Sequence, residues 1–188
     1  SKEDTFRLVL DRGALMHREA TKQEGAMQAI IGLTIDEVQA LVAEVQPEGI
    51  VAVANHNAEK QIAITGSPGP VEAVSAKATA LGARAVPLKV SGAWHSELIK
   101  GAEEPFNISL NGAAFQDPSM PIILNVTGRI STNVQEIRDT MGQQLCSTVK
   151  WYDTMGCLMS EEADIFVEIG PGSVLSGLLR KTLPKDYP

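Results

Sequence analysis

The chain has 188 residues, 44% of them hydrophobic, 21% charged and 4% aromatic, with a net charge of −7. That length and apolar share suit one compact domain or two closely joined subdomains and exclude wholesale disorder. The acidic balance and the scarcity of aromatic rings exclude a nucleic-acid-binding role, and apolar runs such as Ile122-Ile123-Leu124 are far too short to cross a membrane.

From the first residues onward, Arg7 to about Ala20 reads as a helix with Leu8, Leu15 and Val9 on its apolar face. Met27 to Leu33 alternates as a strand does, and Thr34-Ile35-Asp36-Glu37 is a capping box opening a helix with Ile35, Val38, Leu41, Val42 and Val45 inward. Ile50 to Ala54 and Gln61 to Thr65 are two β-rich runs separated by Asn55-His56-Asn57. Gly66-Ser67-Pro68-Gly69-Pro70 breaks the chain before a helix that turns Val71, Val74, Ala78 and Leu81 inward. Arg84 to Val90 is a strand whose Pro87 requires an edge or a bulge. The order over residues 25–90 is β-α-β-β-α-β, the ferredoxin-like pattern.

The remainder reads differently. His95 to Glu104 is expected to be helical, Met120 to Val126 a buried strand, Asn133 to Leu145 and Lys150 to Glu161 helices. Ile165 to Ile169 is an apolar strand running into Gly170-Pro171-Gly172, and a last helix carries Val174, Leu175, Leu178 and Leu179. Alternating strands and helices suggest part of a parallel α/β sheet, too small to stand alone. The expected fold class is therefore α/β, with a ferredoxin-like subdomain (25–90) inserted into an incomplete α/β subdomain made of the helix in 1–24 and of 91–188. Ser1 and Lys2-Glu3-Asp4 offer no apolar signal core. Cys146 and Cys157 are too few for a disulfide framework and show no metal-ligand spacing, so no metal is expected and a reduced, cytoplasmic setting is the plain reading.

For chemistry, His95 follows a strand end and a Gly-containing turn, where a side chain can project into a cleft. By position alone it reads more readily as a surface or hydrogen-bonded structural histidine than as a base. Arg12, in Asp11-Arg12-Gly13, reads as solvated charge, and Gln144 as a polar residue near a helix end. His17 and His56 read as structural or solvent-facing.

Several segments in order resemble the malonyl-CoA:acyl-carrier-protein transacylases and the related acyltransferase domains of polyketide synthases. They include Arg7-Leu8-Val9-Leu10-Asp11-Arg12-Gly13, Gly25-Ala26-Met27, Asn55-His56-Asn57, Gln61-Ile62-Ala63-Ile64-Thr65-Gly66 and Val90-Ser91-Gly92-Ala93-Trp94-His95-Ser96. Asn125-Val126-Thr127-Gly128, Gln144-Leu145, Val149-Lys150-Trp151 and Glu168-Ile169-Gly170-Pro171-Gly172 continue the likeness.

The resemblance implies that the larger subdomain is α/β-hydrolase-like and that a serine in a G-H-S-x-G elbow carries malonyl from coenzyme A to the phosphopantetheine thiol of an acyl carrier protein. No G-x-S-x-G occurs in the chain. The serine is expected outside it, in a missing N-terminal segment, so that this chain alone is inactive. The same resemblance makes His95 the catalytic base, the backbone carbonyl of Gln144 the group that orients it, and Arg12 the partner of the malonyl carboxylate. Trp94 narrows the pocket toward malonyl, and Asn55, Asn57 and Asn125 line the cleft. Malonyl-CoA and acyl carrier protein are the expected partners, with no permanently bound cofactor and the coenzyme A thioester as substrate. An acyltransferase of a polyketide synthase or malonate decarboxylase system fits the same residues. A reading from another class is a non-catalytic ferredoxin-like module that binds a carrier protein or partner subunit.

Overall fold

The computed structural model describes residues 1–184, 186 and 187. A 19-residue helix, α1 (Lys2–Ala20), opens the chain, capped by the Ser1 hydroxyl, which accepts from Asp4 N. It leads into β1 (Ala26–Ile31), α2 (Ile35–Val45), β2 (Val51–Ala58), β3 (Gln61–Gly66), α3 (Pro68–Ala80) and β4 (Arg84–Pro87). These four strands form one antiparallel sheet in the order β2-β3-β1-β4. The Thr34–Glu37 capping box closes as its sequence demands, and Pro87 ends an edge strand, where its missing N–H is harmless.

Both sheet faces are covered, which explains why β1 does not simply alternate between core and solvent. Ile30, Ile62 and Ile64 pack with Val38, Val42 and Val45 of α2 and Val71, Val74 and Ala78 of α3. On the opposite face Met27, Ala54 and Ala63 lie under Trp94. That second layer carries the site.

Gly66 lets the sheet close. Its φ is +151°, and a Cβ there would collide with the carbonyl oxygen of Ile50. We expect Gly66→Ala to cost roughly 3 kcal/mol through that clash and the unfavourable φ, read as a lower midpoint in thermal or denaturant unfolding. An unchanged midpoint would mean that the β2 end yields without cost.

Beyond β4 the chain makes a 3-10 turn (Glu97–Ala102), α4 (Glu103–Asn111), a small hairpin of β5 (Ile122–Leu124) and β6 (Arg129–Ser131), then α5 (Val134–Gln143), α6 (Trp151–Ser160) and α7 (Val174–Thr182). Several expectations change here. Asn55-His56-Asn57 does not separate two runs but lies within β2, which absorbs it through register shifts against β3. The helix expected over His95–Glu104 starts later, because His95 itself sits at φ +62°. The strand expected over Met120–Val126 is only Ile122–Leu124, paired antiparallel with β6, and Met120 is exposed.

Ile165–Ile169 is not a strand, and its alternate residues Ile165, Val167 and Ile169 are 77%, 75% and 95% exposed. A parallel strand exists only by pairing, and among the described residues none lies beside this segment. Val9, Leu81 and Val174, expected inward, are exposed, whereas Met16 takes a buried place on α1.

The two parts of the chain are joined along the outer edge of β2. There His56 N donates to the Val149 carbonyl at 2.9 Å, Val149 N donates to the Ala54 carbonyl at 2.8 Å, and the Thr148 hydroxyl donates to the Val53 carbonyl at 2.7 Å. The stretch just after Gln144 is thereby fixed to the sheet. Among the described residues no helix is long and apolar enough to cross a membrane.

Candidate functional site

The segment between β4 and the 3-10 turn runs between α1 and the start of β1 at close quarters. A Cβ on Gly92 would meet the Ala20 methyl at 2.6 Å, and one on Gly25 would meet Ala93 at 2.6 Å. Only glycine permits this approach. The Ser96 hydroxyl donates to the Ala93 carbonyl at 2.7 Å and accepts from Leu98 N at 3.3 Å, closing a tight turn around residue 95. His95 is held at a left-handed φ of +62°, a conformation costing a non-glycine residue about 1–3 kcal/mol and persisting only where the surroundings impose it.

The imidazole is half-buried, with Nδ1 3.1 Å from the Gln144 carbonyl oxygen. Gln144 caps the C-terminal end of α5, where carbonyls lack intrahelical partners. A carbonyl can only accept, so Nδ1 carries the proton and Nε2 presents a lone pair. Burial pushes the His95 pKa below its ordinary value; the Gln144 carbonyl opposes this, and the positive charge of Arg12 adds to it. The ring is therefore neutral at pH 7, as a base must be.

A cleft of about 630 Å³ brings Arg12, Asn55, Trp94 and His95 together, with Met16, Met27, Leu88 and Val90 among its apolar walls. Arg12 is half-buried on α1, and its Nε lies out of contact with solvent with no hydrogen-bond partner among the described residues. Burial also pushes its pKa down from the ordinary value. Such an unpaired donor in a concave site suits a bidentate acceptor such as a carboxylate. Trp94 lays its ring on Met27, Ala54 and Ala63 and closes one side of the space.

Asn57 and Asn125 do not line this cleft; the Asn125 carbonyl instead accepts from Lys150 N at 2.7 Å. His17 borders the cleft from the exposed side of α1. Met16 belongs to no motif, and its place in the wall follows only from its position one helical turn beyond Arg12. Among the described residues no three His, Cys, Asp or Glu side chains converge on a point where a metal could sit.

His56 is a contrasting case. It is buried, its Nε2 has no partner among the described residues, and its ring lies 4.9 Å from that of Tyr152. Burial lowers its pKa, against weaker opposing effects of Asp153 and Asp36. The unfolded chain therefore binds this proton first as pH falls below the ordinary value of 6.5. Stability contributed by neutral His56 is full above that pH and declines below it, toward the depressed folded pKa. We expect His56→Gln to flatten the fall of the melting midpoint between pH 7 and 5. An equally steep fall would assign the acid sensitivity elsewhere.

Residues 1–187 match the acyl transferase domain family. The chain is 38% identical over 183 residues to the malonyl CoA-acyl carrier protein transacylase of Bacillus subtilis (strain 168), covering 96% of this chain and 58% of that one. It is 36% identical over 183 residues to the protein of the same name from Staphylococcus aureus (strain MRSA252), covering 96% and 59%. Among solved structures, FabD from Acinetobacter baumannii superposes with a TM-score of 0.90 at 39% identity, over 96% of this chain and 58% of that one. A malonyl-transacylase solved in complex with its type II PKS acyl-carrier protein superposes with a TM-score of 0.87 at 34% identity, over 94% and 58%. The chain thus spans somewhat under three fifths of the length of these relatives.

Proposed function

The chain belongs to the acyl transferase domain family, and from that premise we propose that it supplies the base and the carboxylate-binding arginine for malonyl transfer from coenzyme A to acyl carrier protein. The serine nucleophile comes from a part of the fold outside these residues. In this reading residues 25–90 are a ferredoxin-like subdomain inserted into an α/β-hydrolase-like one, to which 1–24 and 91–188 belong. The exposed Ile165, Val167 and Ile169 then face the rest of that sheet. The setting is the cytoplasm, in keeping with the free thiols of Cys146 and Cys157.

One observation carries the proposal: Arg12 and His95 line a single cleft, with the imidazole held through Nδ1 on the Gln144 carbonyl. In the first half-reaction His95 Nε2 takes the serine proton as the serine oxygen attacks the thioester carbonyl. The C–S bond then breaks, and the imidazolium returns the proton to the departing coenzyme A thiolate. In the second half-reaction the carrier's pantetheine thiol gives its proton to Nε2 and attacks the acyl-serine, whose oxygen recovers the proton. Throughout, Arg12 holds the malonyl carboxylate, which acetyl lacks, and Trp94 limits room beside the carbon bearing it. Asn55 lines the same cleft, where it can orient the acyl or pantetheine amide. The roles of Asn57, within β2, and of Asn125, in the turn after β5, are then restricted to positions outside the cleft.

The same chemistry serves fatty-acid synthesis, a polyketide synthase or a malonate decarboxylase system. A non-catalytic carrier-binding module is the second reading, favoured by one observation, the absence of any G-x-S-x-G. Mass spectrometry after incubation with malonyl-CoA separates the two. We expect no covalent adduct on this chain alone, and an adduct on the serine of a supplied elbow segment when the two are fused. An adduct on this chain alone, or none in a folded fusion, would overturn the assignment.

A further inference from the structure

We propose that Glu19 is a positioning residue: its buried carboxylate holds Arg18, whose bond to the Gly101 carbonyl locks the helix bearing Arg12 against the segment bearing His95, so fixing the distance between guanidinium and imidazole. The proposal deepens the transferase reading above and rests on it for its functional meaning.

Arg12, Met16 and Glu19 follow one another at i, i+4 and i+7, one stripe along α1. Arg12 and Met16 line the cleft, and two turns beyond Arg12 the same stripe ends in a carboxylate only 4% exposed. Glu19 Oε1 accepts from Arg18 Nε at 3.0 Å and Nη2 at 2.9 Å, and Oε2 accepts from Lys22 Nζ at 2.6 Å. Arg18 Nη2 also donates to the Gly101 carbonyl at 3.2 Å. The carboxylate rests directly on the Gly101 backbone, where an added Cβ would lie 2.5 Å from Oε2.

Gly101 belongs to the 3-10 turn Glu97–Ala102, which is capped by Ser96, the residue after His95. The clamp therefore ties the far end of the Arg12 stripe to the element that anchors the His95 turn. The close approaches of Gly92 to Ala20 and of Gly25 to Ala93 lie at the same joint.

The hydrogen bond from Lys22 outweighs the opposing effect of burial and, with Arg18, holds the Glu19 pKa below its ordinary value, so the carboxylate stays charged and keeps its grip on both cations. All three hydrogen bonds to the carboxylate come from Arg18 and Lys22 beside it, so Glu19 fixes the Arg18 guanidinium, and the Arg18 bond to the Gly101 carbonyl carries the register between the two elements. The Arg18 and Lys22 side chains that satisfy the carboxylate are half exposed and leave the buried oxygen atoms little freedom.

The test reads the His95 ring nitrogens by NMR across a pH titration of this chain, with His95→Gln identifying the signals. No substrate is present, so the outcome stands apart from whether the chain serves malonyl transfer. Arg12 is the charge that bears on His95. If the clamp sets its distance, Glu19→Ala shifts the His95 midpoint upward, in the direction of Arg12→Ala, and adds nothing in the double variant. Simple loss of the Glu19 negative charge would shift it downward, so the sign separates positioning from direct electrostatics. Glu19→Gln retains an acceptor for Arg18 and should restore much of the wild-type midpoint.

Gly101→Ala, which leaves all three charges in place, is expected to shift it upward as well and serves if Glu19→Ala does not fold. A folded variant of either kind with an unshifted or lowered midpoint, whatever its melting temperature, would overturn the proposal.

Discussion

Replacing His95 with alanine, in a polypeptide that also carries the serine, should lower kcat for malonyl transfer roughly a thousandfold, about 4 kcal/mol of barrier. The side chain is held by its turn and by the Gln144 carbonyl, and neither other histidine shares that turn or that carbonyl. His56 is buried among β2 and Tyr152, and His17 lies on the exposed side of α1. The loss should fall on acylation and on transfer to the carrier alike, because one ring serves both proton transfers.

The pH profile follows from the same geometry. A base with a pKa lowered by burial keeps its neutral form below pH 6.5, so kcat/KM rises through an acidic limb and is flat near neutrality. Arg12→Ala, by removing a positive charge, should move that limb toward higher pH. Steady-state rates for wild type and His95→Ala across pH 4 to 9 decide the matter. Retention of more than a tenth of the rate in a folded His95→Ala protein would mean that another group takes the proton.

The second large effect concerns selectivity. Arg12→Ala should reduce malonyl transfer about a hundredfold or more while acetyl transfer changes little. Charge-assisted hydrogen bonds contribute about 1.5–3 kcal/mol each, and a guanidinium offers a carboxylate two in parallel. Arg12 lines the cleft, and its Nε is buried with no partner among the described residues, so part of the guanidinium's desolvation is already incurred before an acceptor binds. Arg12→Lys should recover part of the charge but not the fork, leaving an intermediate ratio. The measurement is kcat/KM for malonyl-CoA and acetyl-CoA with each variant. Equal losses for both thioesters would remove the carboxylate from the role of Arg12.

Much of this was legible in the residues, for identifiable reasons. The capping box at Thr34–Glu37, the apolar face of α2 and the edge placement of Pro87 are local, so a single segment contains the information. Gln144 was marked out by resemblance rather than by its own chemistry, because a backbone carbonyl has no side-chain signature. The apolar walls Met16 and Met27 left no motif, and they enter the cleft through helix spacing and through the second buried face of the sheet. What failed was long-range. Ile165–Ile169 has a strand's composition, yet strands are made by neighbours that the described residues do not supply. Asn55 lies in the cleft and Asn57 does not, although they are two residues apart. The register of β2 is bulged here, beside an edge contact with Val149 that is far away in sequence.

The most direct test follows the His95 ring signals while malonyl-CoA, and separately acetyl-CoA, is titrated into this chain. A saturable shift with malonyl-CoA, weaker with acetyl-CoA and lost in Arg12→Ala, is expected if guanidinium and imidazole serve one substrate in one cleft. A ring that ignores malonyl-CoA, or responds equally after Arg12 is removed, would show that they do not.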